Sequence, residues 1–249
     1  MRKTKILEVC IDSVASAVAA EKGGADRLEV CANLLIGGTT PTPAFFEEVR
    51  RNVRLPLHVM IRPRFGDFCY SEEELLVMEE ELRCFLRLGA DGAVFGALTP
   101  DGDCDYEAMK RLRAAAGDLS CTLHRCFDVC RDPLATLQDA ISLNMQTILT
   151  SGQKNRCIDG LALLKELQAK AGEKIDIMAG AGLQPTDIPA LYTACGITSF
   201  HLSGKKTVDS PMRHRNPDVS MGIPGRSEYL LDICDEARVH EAATILAGL

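Results

Sequence analysis

The chain has 249 residues, 46% of them apolar, with 28 Lys and Arg against 35 Asp and Glu and a formal net charge of −7. That length suits two small domains or one (β/α)8 barrel, and the apolar share is enough for a packed core. The acidic balance argues against a nucleic-acid or anionic-membrane surface, but says little about a small ligand, which meets only its own pocket.

Met1–Lys5 is basic, but Glu8 and Asp12 interrupt the apolar stretch that a secretory leader needs. No run of about 18 apolar residues occurs, so no membrane span is expected. The chain therefore reads as cytoplasmic. Eleven cysteines, an odd number without a zinc-type CxxC pair, read in a reducing compartment mostly as buried thiols.

Short apolar runs alternate with helical stretches along the chain. Strands are predicted near 6–10, 26–30, 57–61, 91–95, 120–124, 146–150, 175–179 and 198–202. Helices are predicted near 13–22, 43–52, 71–88, 105–116, 132–143, 157–171, 185–194 and 226–247. Ser13, Thr42, Ser71 and Thr186 read as helix caps. Eight β–α units imply a parallel sheet closed as a single TIM-type barrel over 1–249; an open α/β sheet is the alternative. The stretch 203–225, with Pro211, Pro217 and Pro224, reads as an irregular crossing over one end.

LEVC occurs twice, at Leu7–Cys10 and Leu28–Cys31. Successive strand residues point to opposite faces, so Glu8 and Cys10 share one face and Glu29 and Cys31 repeat the arrangement. The apolar parity of the other strands faces the helices, which turns His58, Arg62, Thr122, His124 and His201 inward with them. That lumen is unusually polar, since branched apolar residues normally fill barrel layers. One reading is an internal ion-pair network in which Arg62 satisfies Glu8 and Glu29. The favoured one is a ligand site, because most of these residues fall late in their strands, where barrel active sites sit.

The loops after the strands add candidates for anion binding. Arg62 and Arg64, with Asp67 nearby, suit carboxylate or phosphate recognition. His124 and Asp128 follow strand five, and Ser151 follows strand six. Gly180 and Gly182 follow strand seven and Ser203 strand eight, a usual place for a phosphate in barrels. Arg213 in the crossing segment is a further anion-holding candidate. Cys126 and Cys130 form a CxxxC pair that reads as a buried loop staple rather than a metal site.

EVCIDSVASAVAAEKGGADRLEVC, GGTTPT, IRPRFGDFCYS, GADGAVFGALTPDGDCD, HRCFDVCRDP, LTSGQ, MAGAGL and PMRHRN together resemble the CutC family, over nearly the whole chain. The resemblance implies a cytoplasmic TIM-type barrel that forms a homo-oligomer, with a dimer favoured, and a role in copper homeostasis. It also implies a Cu(I) site on Cys10 and Cys31. Leu202-Ser203-Gly204 after His201 departs from members that carry a further cysteine or serine there, which removes a third thiol from the expected ligands. Cu(I) prefers soft thiolates, and Met60 or Met178 is placed to approach. The expected geometry puts Cys10 and Cys31 roughly 5 Å apart across adjacent strands.

Copper handling through Cys10 and Cys31 is the first functional reading. The alternative is a barrel enzyme (lyase, isomerase or hydrolase) acting on a small anionic or phosphorylated substrate. In it Glu8, Glu29, His124 and His201 do acid–base work, Asp67 and Asp128 orient the basic groups, and Arg62, Arg64 and Arg213 hold the anion. A divalent-metal hydrolase is a third reading, weakened by the lack of an HxH-type spacing.

Overall fold

A computed structural model describes residues 5–249. Eight parallel strands close into a barrel in chain order: β1 (Ile6–Ile11), β2 (Arg27–Val30), β3 (Leu57–Met60), β4 (Gly92–Phe95), β5 (Ser120–Leu123), β6 (Thr147–Thr150), β7 (Asp176–Ala179) and β8 (Ser199–Leu202). Nearly every strand residue is buried, as expected where helices cover one face and the lumen fills the other. Leu7, Leu28, Leu57, Ile177 and Phe200 lie fully buried in the main apolar core.

The helices are α1 (Val14–Gly23), α2 (Pro43–Asn52), α3 (Glu72–Arg87), α4 (Tyr106–Ala116), α5 (Pro133–Ser142), α6 (Leu161–Ala171), α7 (Ile188–Cys195) and α8 (Glu236–Gly248). Their starts follow local chemistry. Ser13 Oγ accepts from the Ser16 amide, Thr42 Oγ1 from Phe45, and Ser71 forms a reciprocal capping box with Glu74. Among the described residues, no helix is long and apolar enough to cross a membrane.

Three boundaries differ from the sequence reading. A 3-10 turn, Cys157–Gly160, precedes α6, so that helix starts four residues later than expected. Thr186 lies inside another 3-10 turn, Pro185–Asp187, whose start is capped by Gln184 and Asp187 instead. The third difference is larger. Part of the crossing segment forms β9 (Lys205–Asp209), which pairs antiparallel with β10 (Leu230–Cys234) inside the predicted last helix. Asp235 then starts α8 by accepting from the Ala237 amide, and it also binds Lys206 Nζ at 3.1 Å. Helical spacing of apolar residues near the chain end was overridden by this long-range pairing.

Barrel closure is what builds the site. β8 lies against β1 with His201 directly across from Glu8, and β1 lies against β2 with Cys10 across from Glu29. Residues 193 positions apart in sequence thus become ladder neighbours.

Candidate functional site

Glu8 is fully buried in the lumen and has two partners. Arg27 Nε donates to Oε2 at 2.5 Å, and His201 Nδ1 lies 2.7 Å from Oε1. Burial alone would raise the Glu8 pKa, but Arg27 and then His201 outweigh it and hold the carboxyl well below its ordinary value. His201 is the mirror case. Burial opposes its charge, yet Cys10, Glu29 and the bond to Glu8 push its pKa well above 6.5. With Nδ1 held by Glu8, the other ring nitrogen, Nε2, faces Glu29 Oε2 at 3.8 Å.

Arg62 does not serve this network, which corrects the reading in which it satisfies Glu8 and Glu29. Its guanidinium donates to the carbonyls of Ile36, Gly38 and Gly66. Arg27 takes the role instead. The signal was present in the sequence, because Arg27 shares strand parity with Glu29, one step before Leu28.

Ligand atoms of Cys10, Glu29 and His201 all lie within 4.8 Å of one another, and the three side chains are buried. Cys31 Sγ donates to Glu29 Oε2 at 3.3 Å and packs with Cys10 and Met60 in a small cluster. Cys31 is two residues beyond Cys10's ladder partner rather than opposite it, an offset of about 6.6 Å along the strand. The expected side-by-side cysteines are therefore diagonal, with Glu29 between them. Burial, and next Glu29, keep the Cys31 thiol protonated well beyond its ordinary pKa. Burial likewise raises Glu29, opposed by His201 and reinforced by Glu8.

This cluster opens on a cavity of about 990 Å³ lined by residues from the carboxyl ends of the strands and the loops after them, including Cys10, Glu29, His201, Met60, Arg62 and His124. Residues of β3 and β5 complete the polar lumen. His58 is buried beside Glu29 in the ladder, and burial lowers its pKa to about 4. Burial, with Arg62 nearby, lowers His124 to about 3. Gly96 makes room for that ring, since a Cβ there would come within 2.9 Å of His124 Nδ1. Thr122 is fully buried and its hydroxyl has no partner among the described residues.

The remaining predicted residues divide. Gly182 and Ser203 line the cavity, while Gly180 sits just behind it against His201. Asp128 lines it too, but its carboxylate is engaged by the Thr150 hydroxyl, the Ser151 and Gln153 amides and Arg125. It ties the loop after β5 to the loop after β6. Ser151 is buried under that tie, with its hydroxyl on the Lys154 carbonyl. Arg64 pairs with Asp67 and with Glu74 at the start of α3, outside the cavity lining. Arg213 is exposed in the segment between β9 and β10. Cys126 and Cys130 are buried free thiols, as are most of the eleven cysteines.

Fold and cavity together define a (β/α)8 barrel with a cavity at the carboxyl ends of its strands, where Cys10, Glu29 and His201 could together hold a metal ion. Residues 5–206 match the model of the CutC family. The copper homeostasis protein cutC homolog of Homo sapiens is 44% identical over 245 residues, covering 98% of this chain and 90% of its own. A CutC family protein of Chromobacterium violaceum is 43% identical over 225 residues, covering 90% of this chain and 91% of its own. The solved structure of a CutC protein from Streptococcus agalactiae superimposes with a TM-score of 0.77 at 29% identity, covering 80% of this chain and 99% of that one. The chain belongs to the CutC family.

Proposed function

We propose that this protein serves copper homeostasis by binding Cu(I) at the cavity floor, with Cys10 as the anchoring ligand and Cys31 as the second thiol. The observation that carries the reading is the convergence of Cys10, Glu29 and His201 ligand atoms within 4.8 Å, with Cys31 and Met60 packed beside Cys10. Thiolate and thioether sulfur select Cu(I), and imidazole tolerates it. Cys31 would lose its proton on binding the ion, and Glu29, which now accepts that hydrogen bond, is placed to take it. The protein works in a reducing cytoplasm in this reading, as a homodimer, which size-exclusion chromatography with light scattering checks.

The test is an anaerobic Cu(I) titration against a competing chelator. Wild type is expected to bind one tight equivalent, and Cys10→Ala to lose it. Undiminished stoichiometry in Cys10→Ala plus Cys31→Ala would remove the site.

A second reading is favoured by the Arg27–Glu8–His201 chain, which a thiol site for copper does not require. A carboxylate that fixes one ring nitrogen of a histidine, leaving the other toward a thiol and a carboxylate, is an arrangement for proton transfer. In that reading the barrel is an enzyme acting on a small anionic substrate held in the same cavity.

A further inference from the structure

Arg62 carries a buried positive charge that no carboxylate answers. Only 6% of the residue is exposed, and no Asp or Glu among the described residues forms an ion pair with it. Its partners are neutral carbonyls: Nη1 donates to Ile36 at 3.3 Å and Gly38 at 3.1 Å, and Nη2 to Gly66 at 2.8 Å. Among the described residues its Nε–H has no hydrogen-bond partner, and the Tyr70 hydroxyl, also unpartnered, lies near the guanidinium. Buried charges are ordinarily paired, because transfer from water without a counter-charge is costly.

The same is true in neutral form at His124. Its Nδ1 accepts from the Cys126 amide at 3.2 Å, so the neutral ring carries its proton on Nε2. That Nε2–H, fully buried, donates to nothing among the described residues. The low pKa of the ring keeps it a neutral donor at physiological pH. Phe68 joins the two groups. Its ring centroid lies 4.8 Å from the His124 ring and 4.9 Å from Arg62 Cζ. All three residues line the cavity. Two unsatisfied N–H donors, one on a charged group, thus lie buried beside one apolar ring.

We propose that this wall is the subsite for the carboxylate of a small organic acid, with Arg62 Nε and His124 Nε2 as its two donors and the Phe68 ring as a cover that swings aside to admit it. One positive charge and two N–H groups match a planar, singly charged carboxylate; a phosphate dianion would leave charge and oxygens unanswered. The Phe68 carbonyl accepts from the Leu98 amide at 2.8 Å, so the cover moves as a side chain and not as a loop. β5 stands four strands from β1, which sets the carboxylate across the lumen from Cys10 and His201. This deepens the enzyme reading by naming the substrate's chemistry. Binding is measured without turnover, so a missing reaction leaves the subsite standing, and missing binding removes it whatever reaction is found.

The experiment follows the Nε2 resonance of His124 in copper-free protein labelled with ¹⁵N-histidine, assigned by its loss in His124→Gln. Acetate and pyruvate are the probes, with inorganic phosphate as comparison. Both carboxylates are expected to shift that resonance saturably. Phe68→Ala, which removes the cover, is expected to bind pyruvate more tightly than wild type. His124→Gln, checked for folding by thermal unfolding, is expected to bind it about tenfold more weakly by calorimetry. Saturation by phosphate in preference to the carboxylates overturns the assignment. So does an unmoved resonance in both wild type and Phe68→Ala, which would mean that water alone answers these donors.

Discussion

Arg27, on the strand beside Glu8, sets its Nε 2.5 Å from Glu8 Oε2, with the Glu8 side chain fully buried and that of Arg27 only 11% exposed. The pair acts on the cavity through a chain of contacts: Arg27 holds Glu8 charged, Glu8 orients His201, and His201 meets Cys10 and Glu29. Breaking a buried pair by removing one partner leaves an uncompensated charge. Arg27→Met is therefore expected to lower stability by about 3–5 kcal/mol, and the double variant with Glu8→Gln to recover a substantial part. Urea denaturation followed by circular dichroism measures both. A loss under about 1 kcal/mol for Arg27→Met would mean that the pair is not dry.

His124 makes a pH prediction with a definite sign. Its folded pKa of about 3 lies below its ordinary value of 6.5. Between those values the unfolded chain binds the proton and the folded one does not, so stability falls as pH drops from 6.5 toward 3. The slope from this group is at most about 1.4 kcal/mol per pH unit. His124→Gln should show a shallower fall of the urea midpoint between neutral and acid pH than wild type. Equal slopes would show that His124 is protonated in the folded protein.

Asp128 is expected to act through loop order. Its carboxylate accepts from the Ser151 amide at 2.9 Å, the Gln153 amide at 3.2 Å and the Thr150 hydroxyl at 2.6 Å. Asp128→Ala should cost about 1–3 kcal/mol and speed hydrogen exchange at the Ser151 and Gln153 amides above all others. Unchanged exchange there would show that the loop after β6 is held by other contacts.

Much of this protein could be read from particular residues in isolation. The apolar runs around Leu7, Leu28, Leu57 and Phe200, the caps at Ser13, Thr42 and Ser71, and the alternation of strand with helix are local properties. They sufficed for the barrel because each depends on neighbours a few residues away. The repeated LEVC likewise marked Glu8, Cys10, Glu29 and Cys31 as inward-facing, since strand parity is a local rule. The β9–β10 ribbon escaped because antiparallel pairing over more than twenty residues leaves no short-range signal, and an apolar run such as Leu230–Cys234 suits helix or strand equally.

Which groups meet across the lumen was decided only by tertiary structure. Parity says that a side chain points inward, but the stagger of the strands decides what it finds there. One ladder register places His201 against Glu8 and Cys10 against Glu29, and leaves Cys31 on the diagonal. The same stagger gives Glu8 to Arg27 and sends Arg62 upward to the carbonyls of the loops, without a carboxylate partner. By itself the sequence determined a polar-cored barrel and the residues that enter its core. Register and closure, which are sums of many weak long-range contacts, determined their partners, and so divided the lumen into a thiol–imidazole floor and an unsatisfied cationic wall.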